Sequence, residues 1–148
     1  MKTILDEATR DGLIARAKTL NVASKPQWGK MSIDQMLKHA ILADEMYLGE
    51  KVYKRHFLGY LLGRPILKAI LKDEAPMRRN AKTSPEFIVT ETGGNVETEK
   101  AKWISVLERY ANYDNPEFTH WFFGKMTKEQ VGQLAYKHVD HHLRQFNS

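Results

Sequence analysis

"YKHVDHHLRQF", residues 136–146, places three of the six histidines of the chain within five positions. Upstream, the stripe begins at Val131, Leu134 and Ala135. At helical spacing it continues through positions 138, 139, 142, 143 and 146. Those positions hold His138, Val139, His142, Leu143 and Phe146, while His141 lies off the stripe. His138 and His142 therefore occupy core positions of an apolar helix face. Residues four apart meet on one side of a helix. The spacing is that of the paired histidines in HExxH zinc sites, without the glutamate of that motif. Two inward imidazoles need partners, because each unpaired buried polar group costs on the order of 1–3 kcal/mol. A metal ion would satisfy both; so would ordinary core hydrogen bonds.

A pair is rarely enough, so a third ligand is expected from another helix. His39, in "DQMLKHAILADEMY" (34–47), is the best candidate. It sits at the edge of an apolar face beside Ala43 and Met46, with Asp34, Lys38 and Glu45 marking the solvent side. Zinc, nickel and iron(II) all accept imidazole nitrogen. The two histidine-bearing helices open alike. "WGKMSIDQ" (28–35) and "FGKMTKEQ" (123–130) share aromatic-Gly-Lys-Met-[Ser/Thr]-x-x-Gln. Ser32 and Thr127 are N-caps, and Gln35 and Gln130 close capping boxes. Met31 with Met36, and Met126 with Val131, have the spacing of hydrophobic staples.

Around these two segments the chain reads as all-α. Four helices are expected, at about 7–20, 33–49, 97–112 and 128–146. Ala8, Leu13, Ile14, Ala17 and Leu20 face the core on the first, and Trp103, Val106, Leu107 and Tyr110 on the third. "EFIVTE" (86–91) is the only strand-like run and has no evident partner. The connection over 50–95 is too long to be structureless in a compact domain. "HFLGYLLGRPILKAILK" (56–72) resolves it as one or two short apolar helices broken at Gly63–Pro65. "KDEAPMRRNAKTSPE" (72–86) follows as an extended surface crossing. The expected architecture is a four-helix bundle with a long crossover containing short helices between helices two and three, filling residues 1–148 as one domain.

Composition bounds the function. The 148 residues are 42% hydrophobic and 28% charged, as in ordinary globular proteins. No cysteine is present, which excludes disulfides, thiolate metal sites and a cysteine nucleophile. No stretch reaches the length of a membrane span. "MKTILDEATR" is too acidic and too poor in apolar residues for a signal peptide, so a cytoplasmic location is expected. The net charge of +5 is uneven. Residues 50–82 hold nine Lys/Arg against three Asp/Glu, and the rest of the chain fourteen against fifteen. The segment's apolar density points to packing over the bundle or across a homodimer, through Phe57, Leu58, Tyr60, Leu61, Ile66, Leu67 and Ile70. Nucleic-acid and membrane partners are not expected, although basic amphipathic segments can serve either.

Taken together, "YKHVDHHLRQF", "WGKMSIDQMLKHA" and "LKDEAPMRRN" (71–80) resemble the DinB/YfiT-like superfamily of metalloenzymes. The closer likeness is to a bacterial branch of it described only as a domain of unknown function. The resemblance runs from about Trp28 to Phe146. It implies a four-helix bundle whose divalent metal is held by three histidines, which fall here on His39, His138 and His142. The superfamily's usual Arg-Gly-Gln after the last histidine is replaced by Leu143-Arg144-Gln145. The resemblance also implies thiol-dependent transferases and isomerases that use low-molecular-weight thiols; a hydrolytic reaction on a small-molecule substrate is the other enzymatic expectation. A non-catalytic, metal-stabilised bundle is the alternative. No catalytic base stands out. Gln35, one turn before His39, Gln145, His120 and Trp121 could line the pocket or support the ligands, although caps, staples and aromatic packing account for each equally well.

Overall fold

The computed structural model describes residues 1–81 and 83–148. Lys82, part of the expected surface crossing, lies outside the described residues. Five α-helices dominate: α1 (Glu7–Thr19), α2 (Ile33–Tyr47), α3 (Phe57–Ile70), α4 (Val96–Glu108) and α5 (Lys128–Gln145). A 3-10 turn, Pro85–Phe87, precedes α4, and a second, Arg109–Asn112, extends it. Two-residue strands, β1 (Thr119–His120) and β2 (Gly124–Lys125), pair antiparallel just before α5. The protein is therefore mostly helical.

The two histidine-bearing helices begin as the sequence requires. At the start of α5, Thr127 Oγ1 accepts the Gln130 N–H at 3.2 Å, and Gln130 Oε1 accepts the Thr127 N–H at 3.1 Å. At the start of α2, Gln35 Oε1 accepts the Ser32 N–H at 3.0 Å. These reciprocal bonds satisfy backbone donors that the first helical turn leaves open.

α2 packs on α4 and α5, and α1 packs on the same two helices. The shared core is apolar, with Leu13 and Ala17 from α1, Met36 and Leu37 from α2, Trp103 and Leu107 from α4, and Leu134, Val139 and Leu143 from α5 all buried. Polar groups are buried beside it, Asp44 the most completely. Asp44 is fully buried, its carboxylate accepting the Trp103 indole N–H and the Tyr110 hydroxyl, each at 2.8 Å.

Several sequence expectations change here. Ala8 is exposed, and Arg10 is buried instead, its guanidinium donating to the carbonyls of Ile4 and Leu5. Asp34 is buried rather than on the solvent side. Its oxygens accept from the Ser32 hydroxyl at 2.5 Å and the Gly94 N–H at 3.2 Å, so a distant loop covers it. The strand-like 86–91 run starts instead in the 3-10 turn that Ser84–Pro85 sets up.

α3 is one helix rather than two. It runs through Pro65 without interruption. Leu61, whose carbonyl loses its amide partner to the proline, is exposed, so water can take that place. The end of α3 is tied to α5 by the buried Lys137, whose Nζ donates to the carbonyls of Ile70 at 2.5 Å and Asp73 at 2.8 Å. Of the seven apolar residues expected to pack, Leu67 is buried and Ile70 half-buried, and the other five do not pack on the bundle. Gly59, Gly63 and Leu67 face the protein, while Phe57, Leu58, Tyr60, Leu61 and Ile66 are exposed. The glycines decide this, because a side chain at either would collide with the backbone of Phe122.

Candidate metal centre

α2 contributes His39 and α5 contributes His138 and His142, and the three imidazoles converge. His138 Nε2 lies 3.3 Å from His39 Nε2 and 3.2 Å from His142 Nε2. Among the described residues this is the group of side chains that could hold a metal ion. His39 and His142 are buried, and His138 is half-buried.

The outer nitrogens fix what the inner ones can offer. His39 Nδ1 lies 2.8 Å from the Phe87 carbonyl, which can only accept, so Nδ1 carries the proton. His142 Nδ1 lies 2.9 Å from Gln145 Oε1. The same amide donates through Nε2 to the Trp28 carbonyl at 2.9 Å, which sets its orientation and makes Oε1 the acceptor. Both rings therefore present a lone pair at Nε2. His138 Nδ1 is buried with no hydrogen-bond partner. If Nδ1 carries the His138 proton, three lone pairs meet with nothing between them. A cation resolves that arrangement. An ion bound tetrahedrally about 2.0–2.1 Å from each nitrogen would hold neighbouring nitrogens about 3.3 Å apart. The donor set thus fits a divalent metal in chemistry; the two separations at His138 match this spacing, and all three ligand atoms lie within 4.8 Å of one another.

The electrostatics agree with neutral ligands. Burial lowers all three imidazoles below their usual range, and pushes His142 to about 3. The neighbouring histidines lower His138 and His142 further, whereas the Phe87 carbonyl and the Gln145 amide oppose the shift on His39 and His142. Neutral imidazole is the form that binds metal.

The other residues singled out in the sequence fall at different distances from the centre. Gln145 touches His142 directly. Gln35 does not reach the histidines; it is committed to the α2 cap. His120 is buried, and its Nδ1 accepts the N–H groups of Phe122 and Phe123 at 3.0 and 3.2 Å, so it organises the turn between β1 and β2. Its ring stacks on Tyr47 at 5.9 Å, and Tyr47 in turn lies edge-on to His138 at 6.3 Å. Trp121 packs at 6.2 Å against the ring of Phe87, the residue whose carbonyl holds His39. Of these rings, Tyr47 lies against the half-buried His138 and Phe87 against His39. His141 is outside the ligand group, its ring edge-on to His142 at 5.2 Å and to Trp28 at 5.5 Å.

Two supports of the site were not anticipated, the carbonyls of Phe87 and Trp28. A glycine makes the second possible. Gly29 has φ +81°, and a Cβ there would lie 2.8 Å from Gln145 Nε2.

Compared with known families, residues 3–148 match the sequence model of a family described as "Protein of unknown function (DUF1569)". The chain belongs to the DUF1569 family. No curated protein and no solved structure matches it. Membership in DUF1569 covers nearly the whole chain and leaves the chemistry to be argued from the site.

Proposed function

We propose that this DUF1569 chain is a divalent-metal-dependent enzyme acting on a small molecule, with His39, His138 and His142 holding the ion inside a four-helix bundle formed by α1, α2, α4 and α5. One observation carries the reading: three Nε2 atoms converge from two helices while His138 Nδ1 is buried without a partner. Zinc, nickel and iron(II) suit three imidazoles.

Three neutral protein ligands leave coordination positions open for water or substrate, as catalytic centres do and closed structural ones do not. When bound, the ion would acidify a thiol or a water, or polarise a carbonyl. The protein's own residues orient and shield. Phe87 and Gln145 fix the rings of His39 and His142, which sets the direction of their lone pairs. His138, the most accessible of the three, marks the side from which a small molecule can approach. Tyr47 packs beside His138 and Phe87 beside His39, which shields the centre on those sides.

No carboxylate near the histidines is free to serve as a base. Asp44 is engaged by Trp103 and Tyr110, and Glu45 pairs with Lys51 at 2.6 Å and Lys102 at 3.4 Å. The resemblance to DinB/YfiT-like enzymes supports a low-molecular-weight thiol as substrate, in a transfer or isomerisation. With no cysteine in the chain, the sulfur would come from the substrate. Hydrolysis is the second use of the same site.

Elemental analysis of untagged protein, followed by turnover assays of thiols with electrophilic acceptors and of simple esters, tests the proposal. The expected result is bound metal and turnover that is lost in His138→Ala. Protein purified under metal-replete conditions without an ion would overturn it. Bound metal with no turnover, and a large loss of stability on chelation, would instead make the ion a structural tie.

A further inference from the structure

α3 presents an apolar surface outward from a rigid seat. A Cβ on Gly59 would lie 2.4 Å from the Phe122 carbonyl oxygen, and one on Gly63 only 2.2 Å from it. These glycines lock the rotation of the helix, so its large residues cannot turn inward. Phe57 is 75% exposed, Leu58 47%, Tyr60 64%, Leu61 67%, Leu62 47% and Ile66 39%. A contiguous apolar patch of this kind marks a docking surface rather than ordinary surface scatter.

Charge identifies what the patch meets. From Lys51 to Lys72 the sequence has six Lys/Arg and no Asp or Glu. Lys54, Arg64 and Lys68 are exposed and form no ion pair among the described residues. At about 100° per residue, Leu58, Leu61, Leu62 and Ile66 sweep one side of α3, and Arg64 and Lys68 border it one turn apart. In a symmetric contact, each copy meets the same surface of the other. A second copy's α3 would bring further Lys and Arg to this contact and no carboxylate to offset them. An anionic bilayer supplies both complements: an acyl boundary for the leucines and phosphates for the basic border.

We propose that α3 docks in the plane of an anionic membrane surface, its exposed apolar side at the headgroup–acyl boundary and Arg64 and Lys68 reaching the lipid phosphates. The earlier expectation of no membrane partner rested on these apolar residues packing over the bundle or across a homodimer, and most of them do not pack on the bundle. Among the described residues no helix is long and apolar enough to cross a membrane.

Co-sedimentation of the untagged full-length protein with lipid vesicles tests the proposal. Vesicles of phosphatidylcholine alone are compared with vesicles also containing phosphatidylglycerol. Binding should be at least about tenfold stronger to the anionic vesicles and should weaken with added salt. The double variant Leu61→Glu/Leu62→Glu should lose binding by at least about tenfold. Arg64→Glu/Lys68→Glu should lose the preference for anionic lipid. Both variants change exposed residues, and unaltered far-UV circular dichroism and metal content would show that the fold persists. Sedimentation velocity should find a monomer. Binding to neither vesicle type, equal binding to both, or a dimer that Leu61→Glu dissociates without any vesicle binding would each overturn it.

Discussion

Gln145 holds His142 from three residues further along α5, with Oε1 2.9 Å from Nδ1. The amide can do so only because the Trp28 carbonyl takes its other arm. A loop and a helix end thereby set the direction of a ligand lone pair that neither of them touches. The support is local to one ligand, so its loss should weaken metal binding without dismantling the fold.

Gln145→Ala should lower zinc affinity about 10- to 100-fold, the usual cost of removing a partner behind a metal ligand. Competition titration against a chromophoric chelator measures it. Thermal melts of the metal-free variant should move far less than its affinity does. An unchanged affinity would show that His142 needs no support.

The three imidazoles should bind about one divalent ion per chain. His39→Ala, His138→Ala and His142→Ala should each abolish tight binding. His141→Ala should retain it, because His141 packs beside Trp28 outside the ligand group. Elemental analysis after gel filtration gives the stoichiometry. Equal loss from His141→Ala would contradict the arrangement described here.

Acid should destabilise the metal-free protein. Burial depresses His39, His138 and His142, and it pushes His120 to about 3. A base with a depressed folded pKa contributes stability that is full above its unfolded value, about 6.5, and is lost as pH falls through the folded value. Each such histidine steepens the loss by about 1.4 kcal/mol per pH unit within that window. A bound ion competes with protons for the same nitrogens. A chelator should therefore lower the melting midpoint by several degrees at pH 8 and by much less at pH 5. Equal chelator effects at the two pH values would exclude the histidines as ligands.

Asp44 should act in the opposite direction. Burial raises its carboxyl to about 7, against the Trp103 and Tyr110 hydrogen bonds that favour the charged form. The folded state then keeps a proton that the unfolded chain releases, so this contribution is full below about pH 4 and fades as pH rises through about 7. Asp44→Asn can still accept from Trp103 and donate to the Tyr110 oxygen. Its stability relative to the parent should rise from pH 5 to pH 8. Asp44→Ala strands two buried donors and should cost about 2–5 kcal/mol at low pH and less at pH 8, where the parent has lost the Asp44 contribution. Denaturant titration distinguishes the two variants.

The sequence carried the site's side chains but not its backbone supports. Period-3.6 spacing put His138 and His142 among Val131, Leu134, Val139 and Leu143, and that stripe is buried on α5. Ser32 and Thr127 showed where the two helices begin. The carbonyls of Phe87 and Trp28 carry no residue signature, and they reach their partners across 48 and 117 positions. Asp34 read as solvent-facing because its partner, the Gly94 N–H, lies 60 positions away. On α3 the apolar residues were plain, but which side meets the protein was decided by glycines, the residues that periodicity ignores. Pro65 marked a break by local rule, yet an exposed helix can lose one backbone bond to water and continue.

The span between the ligands has a kinetic consequence. His39 and His138 are 99 positions apart. An ion joining them closes a loop of most of the chain. A covalent cross-link of that length would remove roughly 4–5 kcal/mol of denatured-state entropy, although an exchangeable ion constrains the unfolded chain far less. Such a loop closes only after most of the structure has formed, so the ion cannot serve as a folding nucleus. An interaction completed late acts chiefly on the rate of unfolding. In stopped-flow measurements, added zinc should slow unfolding and leave the refolding limb nearly unchanged, making the site a latch on the finished fold.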